Sequence, residues 1–250
     1  MSRFVILSGP SCIGKSPLYK AVRKFFPELL ERVQEPVLYN CRDPRPGEVD
    51  GVTYHFRSRE YLESLRGRDG FVVLDVRKDV QALALADLQA VFDARSDAFF
   101  EGNPYIATAL MDAPELVGVD FVTAFMSPVS SEELEYLREK APDQVEKLVT
   151  DVMRRKLLRR TVKQKGILSL GDLQDIEARC GAAYRELGYA HRFRYVLPTH
   201  DGEDSEHWDA LPCPIGDAGR TVRAFADLLS GRVPGCAERW ERGILPQATG

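Results

Sequence analysis

The chain lacks the features that would mark it as a membrane, secreted or metal-stapled protein. No apolar run approaches the roughly 18 residues that a helical membrane span needs. The five cysteines stand at positions 12, 41, 180, 213 and 236, with no C-x-x-C pair among them. Neither a zinc site nor a dithiol redox centre is therefore expected, and the odd count suits a reducing cytoplasm. The four histidines have no metal-ligand spacing and receive no role. An excess of positive charge is also missing: 34 Lys and Arg against 38 Asp and Glu leave a net charge of −4. That balance argues against a general binder of nucleic acid or membrane surfaces. No repeat or low-complexity segment occurs. A strand opening at residue 3 leaves no room for an expected signal peptide, so a cytoplasmic location is expected.

What is present suits one α/β domain with insertions, or one domain with a tail: 250 residues, 44% of them hydrophobic. Apolar runs predict strands over 3–8, 37–41, 52–56, 71–76, 98–100, 121–125 and 193–197. Amphipathic spacing predicts helices over 15–26, 58–66, 84–94, 104–111, 143–165, 170–187 and 218–230, and Ser130-Ser131-Glu132-Glu133 opens a further helix with a capping pattern. Residues 42–51 read as a structured loop and 199–216 as a polar loop. Strands alternating with helices imply a mostly parallel sheet covered on both faces.

The most informative stretch is Gly9-Pro10-Ser11-Cys12-Ile13-Gly14-Lys15-Ser16. It fits G-x-x-x-x-G-K-[ST] and lies between a predicted strand and a predicted helix, where that pattern makes an anion site. Backbone N–H groups point inward, the helix dipole favours negative charge, and the lysine reaches the outer phosphates of a nucleotide. Ser16 is placed to ligate Mg²⁺. Cys12 reads as a small side chain tolerated where the backbone does the binding.

A second segment discriminates among the many proteins with such a loop. Arg42 and Arg45 lie three residues apart in a turn stiffened by Pro44 and Pro46, with Tyr54 following. Arginine pairs bidentately with phosphate, and proline reduces the entropy lost on fixing the loop. This is a plausible second anion site, for a substrate phosphoryl group.

Together, G-P-S-x-x-G-K-S and the run R-x-P-R-x-G-E-x-x-G-x-x-Y-x-F over 42–56 resemble the guanylate kinase family. The resemblance extends as architecture over about 3–230, with its strongest motifs in 3–62. It implies a P-loop NTPase three-layer α/β fold with nucleoside-monophosphate-binding and lid insertions. The implied division is a domain over 1–235, with core 1–37, 98–135 and 175–230, substrate-binding region 38–97 and lid about 140–170; a tail follows over 236–250. By resemblance, Gly9 to Pro17 would bind ATP and Arg42, Arg45 and Tyr54 would hold the acceptor phosphate. Arg179, with Arg154, Arg155, Arg159 and Arg160 of the basic stretch 153–166, would clamp the transferred group. Lys15 and Arg42 would be catalytic with those arginines.

The chain departs from the family at identifiable places. Pro17 stands where a threonine is usual, removing one N–H from the loop. Leu38-Tyr39-Asn40-Cys41 replaces a serine/threonine run, and Val73 stands where the family has a guanine-reading glutamate. Asp75, Arg77, Asp79 and Gln81 are the nearby polar candidates for a replacement reader. Glu101, after the strand 98–100, is the expected carboxylate for Mg²⁺, through water, or for the substrate, with Asp75 competing. The expected activity is ATP-dependent phosphoryl transfer to a GMP-like nucleoside monophosphate by a monomer or homodimer. The alternatives are a kinase for another phosphorylated small molecule such as a ribose phosphate, a non-catalytic phospho-ligand module, and an RNA-binding regulator using 154–165.

Overall fold

A computed structural model describes residues 2–44, 47–76 and 79–246. Its strands and α-helices in chain order are β1 (Arg3–Ser8), α1 (Lys15–Phe25), β2 (Val33–Gln34), β3 (Tyr39–Asn40), β4 (His55–Phe56), α2 (Arg59–Ser64), β5 (Phe71–Val76), β6 (Asp79–Ala84), α3 (Leu85–Asp93), β7 (Asp97–Gly102), α4 (Pro104–Asp112), β8 (Asp120–Ser127), α5 (Ser131–Lys140), α6 (Val145–Lys165), α7 (Leu170–Leu187), β9 (Tyr195–Pro198) and α8 (Gly216–Leu229). The predicted strands and helices thus recur as elements, with short shifts at their ends. The additions are β2, a two-residue strand in a stretch that reads as a loop, and β6, which has a clear cause. The Ala- and Leu-containing sequence of β6 has little strand character alone, but Phe71↔Ala84 to Val76↔Asp79 pair antiparallel along its whole length.

Two compact units divide the chain. One is Met1–Ile6 with Arg32–Val122, the other Leu7–Glu31 with Thr123–Gly250. β1 and β8 each run from one unit into the other.

In the first unit β2 pairs parallel with β7, which neighbours β1. A second sheet has the order β4-β3-β6-β5. Alternation of side chains decides what each face of that sheet does. Val80 and Ala82 join Leu62 and Leu65 in an apolar cluster, with Tyr39, Cys41, Phe71 and Val73 packed against it. This is the face under α2, whose N-cap Ser58 accepts from Tyr61 N–H at 3.2 Å. The opposite face carries Asn40, Leu74 and Gln81, which the ladders place side by side. α4 packs beside β5. Asn103 starts α4, its Oδ1 accepting from Ile106 N–H at 3.1 Å, and Pro104 takes the first turn, where an N–H is not needed.

In the second unit β8 and β9 pair parallel from Ala124↔Tyr195 to Ser127↔Pro198. Phe125 and Phe193 bring their rings to 5.2 Å in the core beside them. α5 opens with a capping box, Ser130 with Glu133. α6 and α7 form an antiparallel helical hairpin; α6 is continuous over 21 residues. Beyond Pro234 the described residues pack back onto β9 and α5. Glu238 makes an antiparallel bridge to Val196, with both backbone bonds at 2.8 Å, and its carboxylate accepts from Ser131 N–H at 2.9 Å. Trp240 is buried alongside. No described helix is long and apolar enough to cross a membrane.

Candidate functional site

The turn between β1 and α1 is built from residues held in the left-handed region: Gly9 at φ 142°, Cys12 at 67° and Gly14 at 109°. Glycine is required at two of them for space as well as conformation. A Cβ on Gly9 would lie 2.5 Å from the Met126 carbonyl oxygen, and one on Gly14 would lie 2.9 Å from both the Asp201 carbonyl oxygen and the Trp208 ring. Gly14 caps α1, and Leu18 N–H donates to its carbonyl at 2.9 Å. Pro17 occupies the first turn, where its missing N–H costs the helix no bond, and α1 runs through it uninterrupted. Lys15 is only 8% exposed. Its Nζ donates to the carbonyls of Gly9 and Pro10, both at 2.9 Å, which keeps the ammonium inside the loop. Ser16 stands exposed in the same turn.

Two flanking segments support this loop, and their role was not readable in advance. Residues 199–208 wrap it: Glu203 N–H donates to the Cys12 carbonyl at 3.0 Å, and Trp208 Nε1–H donates to the Gly202 carbonyl at 2.8 Å. Asp201 ties the segment to α8, its Oδ2 accepting from Ala218 N–H at 2.8 Å. Burial raises the Asp201 carboxyl, but its bonds from Ala218, Ser205 and His207 outweigh that and hold it below the usual carboxylate range. A buried tryptophan within an otherwise polar run was the signal that this stretch is more than a surface loop. The second support is the helical hairpin. Cys12 clusters with Leu157, Ile176 and Cys180. Burial, with Glu203 nearby, pushes the Cys12 thiol up to about 12. Lys156, buried on α6, donates to the His200 carbonyl. Burial lowers its ammonium below the ordinary lysine value against the pull of Asp204.

The expected clamp arginines are all engaged by carboxylates or exposed. Arg159 pairs with Asp204 at 2.6 Å and Arg160 with Glu203 at 2.9 Å. Arg154 bridges to Glu177 on α7 at 2.7 Å and to Asp151, and its bond to Glu177 raises its pKa. Arg179 pairs with Asp175 at 2.9 Å, one turn away. Arg155 is exposed.

The acceptor-side residues belong to the first unit. Arg42 forms a fork with the Glu48 carboxylate, both contacts 2.6 Å, and lies over the rings of Tyr54 and Phe56 at 5.3 and 5.6 Å. The Glu48 bond raises the Arg42 pKa. Its backbone N–H donates to Asn40 Oδ1 at 3.2 Å. Glu101 is the penultimate residue of β7, half-buried, two residues before the cap of α4. Asp75 is 71% exposed and bonded to Arg66 at 3.0 Å, on the α2 side of its sheet. Val73 packs into the apolar cluster on that side. Gln81 is buried on the other face, beside Asn40. Arg45 and Arg77 lie outside the described residues.

Comparisons with known proteins agree on one relationship. The family model for guanylate kinase matches residues 1–180. A guanylate kinase of Gluconobacter oxydans is 32% identical over 151 residues, 58% of this chain and 67% of that one. A guanylate kinase of Cereibacter sphaeroides is 30% identical over 158 residues, 61% of this chain and 70% of that one. A shorter, closer match, 44% over 63 residues, joins 25% of this chain to 28% of a guanylate kinase from Rhodococcus jostii. Among solved structures, the guanylate kinase from Anaplasma phagocytophilum superimposes with a TM-score of 0.54 at 17% identity, over 98% of this chain and 93% of that one.

Proposed function

The chain belongs to the guanylate kinase family, and on that premise we propose that it transfers the γ-phosphoryl group of ATP to the phosphate of a GMP-like nucleoside monophosphate. The observation that carries this reading is the loop itself. Its two sterically required glycines precede a helix N-terminus, and a buried lysine is already inside the turn. A binding module that no longer handles nucleotide has no need of that cradle.

Phosphoryl transfer asks for positioning and charge neutralisation more than for covalent chemistry. The P–O bond from the γ-phosphorus to the β-bridging oxygen of ATP breaks as an acceptor phosphate oxygen bonds the same phosphorus, leaving ADP and a nucleoside diphosphate. Lys15 would exchange its two carbonyl partners for β- and γ-phosphate oxygens. N–H groups of Ser11 to Ser16 would donate to the phosphates at the α1 terminus. Arg42, stacked on Tyr54 and Phe56, would trade Glu48 for the acceptor phosphate, with Tyr54 and Arg45 adding bonds. Arg159, Arg160 and Arg179, with Arg154 and Arg155, would neutralise the transferred group. Mg²⁺, when bound, neutralises phosphate charge. Ser16 suits such an ion, because Mg²⁺ in kinases takes few protein ligands beside phosphates and water, and Glu101 would hold one of those waters.

A second reading, a kinase for a phosphorylated sugar, draws on Val73, which packs partly buried against the cluster under α2 and leaves no charged base reader at that position. One experiment separates the two: ADP release from Mg-ATP against GMP, dGMP, AMP, CMP, UMP and ribose phosphates, with a control lacking acceptor. Turnover on GMP is the expected result. Turnover on ribose phosphates alone favours the second reading, and no acceptor-dependent turnover rejects both.

A further inference from the structure

Gln81 is a buried amide with an unmet hydrogen bond. It is 8% exposed, and its Oε1 is shut off from solvent with no partner among the described residues. The ladders set Gln81 opposite Leu74 on β5 and Asn40 on β3. Val80 and Ala82 on either side of it point into the apolar cluster under α2, so Gln81, Asn40 and Leu74 share the other face. Asn40 is buried beside it, and its Oδ1 is committed to the N–H of Arg42 at 3.2 Å. One short strand therefore links the amide pair to the arginine proposed to hold the acceptor phosphate. Val73, the position at which the family's glutamate is expected, is on the wrong face to take part. A dry carbonyl oxygen without a donor is a cost that native folds rarely keep unless something supplies the donor.

We propose that Gln81 is the base-reading residue of this chain, its Oε1 accepting from the amino group of the acceptor's nucleobase. For a guanine acceptor that group is the 2-amino group, which inosine lacks. The inference rests on the phosphoryl-transfer reading for its choice of ligand. It departs from a carboxylate reader in kind: a neutral amide rejects bases that lack the amine without attracting positive charge.

The test compares the full-length wild type, Gln81→Leu and Gln81→Glu. Binding of GMP and of IMP is measured by calorimetry without ATP, with thermal unfolding to check each fold, and turnover is measured separately. A site built around a hydrogen bond rejects the analogue lacking it steeply, so the wild type should bind GMP about 10-fold or more tightly than IMP. Gln81→Leu should bring the two near parity by weakening GMP, with the ATP KM unchanged. Gln81→Glu keeps an acceptor oxygen and should keep the preference. Equal binding of GMP and IMP by the wild type, no binding of either, or a preference that survives Gln81→Leu would overturn the proposal. Absent turnover alongside an intact, Gln81-dependent preference would count against phosphoryl transfer alone.

Discussion

The backbone N–H of Glu203 donates to the carbonyl of Cys12 at 3.0 Å, so the loop after β9 is fastened to the phosphate loop by its main chain. The side chains of Glu203 and its neighbour Asp204 then hold Arg160 and Arg159. Carboxylates thus occupy two of the arginines proposed to meet phosphate. Glu203→Gln with Asp204→Asn should free them and lower the ATP KM by about 2- to 5-fold, the scale of partly exposed ion pairs. Steady-state kinetics at fixed acceptor reads this. An unchanged or higher KM would mean that these arginines do not meet ATP.

The two anion sites should separate kinetically. Lys15→Ala should abolish turnover with every acceptor, because its ammonium is the buried charge inside the loop. Arg42→Ala should chiefly raise the acceptor KM and leave ATP binding within about 2-fold. Parallel loss of both affinities in both variants contradicts the assignment of separate sites.

Gly14→Ala should destabilise the fold more than Gly51→Ala does, although both positions have positive φ. At Gly14 the added methyl meets backbone oxygen and the Trp208 ring at 2.9 Å, whereas at Gly51 it meets nothing within 4 Å. The dihedral cost alone is about 1–2 kcal/mol, and the clash adds to it only at Gly14. With about 2–4 °C of Tm per kcal/mol for a chain of this size, Gly51→Ala should lose a few degrees and Gly14→Ala clearly more. Equal losses would show that the loop has room to yield.

The glycine-rich turn and the capped helices were legible because each depends on local chemistry. Glycine and lysine spacing and Ser130 before Glu133 carry their geometry with them. β6 was not legible, because its strand character comes from pairing with β5, a tertiary effect. The same holds for Asp75. In sequence it neighbours the strand's apolar run and competes with Glu101, but in the fold it turns to solvent beside Arg66. The carboxylates that meet Arg159 and Arg160 lie more than 40 residues away in a run that reads as polar loop. Charge content gave no sign of that pairing.

Cys12 should be chemically silent despite its place in the phosphate loop. It is 1% exposed, and burial raises its pKa from 9.0 to about 12. Little thiolate therefore exists near neutrality, and the thiolate is the nucleophile. Iodoacetamide at pH 8 should label the exposed Cys213 quickly and leave Cys12 untouched until the protein is denatured, as mass spectrometry of peptides would read. The same shift has a stability consequence of definite sign. Between pH 9 and 12 the unfolded chain loses this proton while the native state keeps it. The stability it contributes is thus complete below about 9 and lost as pH rises through about 12. Cys12→Ala should flatten that part of the stability profile. Rapid labelling of native Cys12, or an alkaline profile identical in Cys12→Ala, would show that the thiol is neither as buried nor as firmly protonated as its packing against Leu157, Ile176 and Cys180 requires.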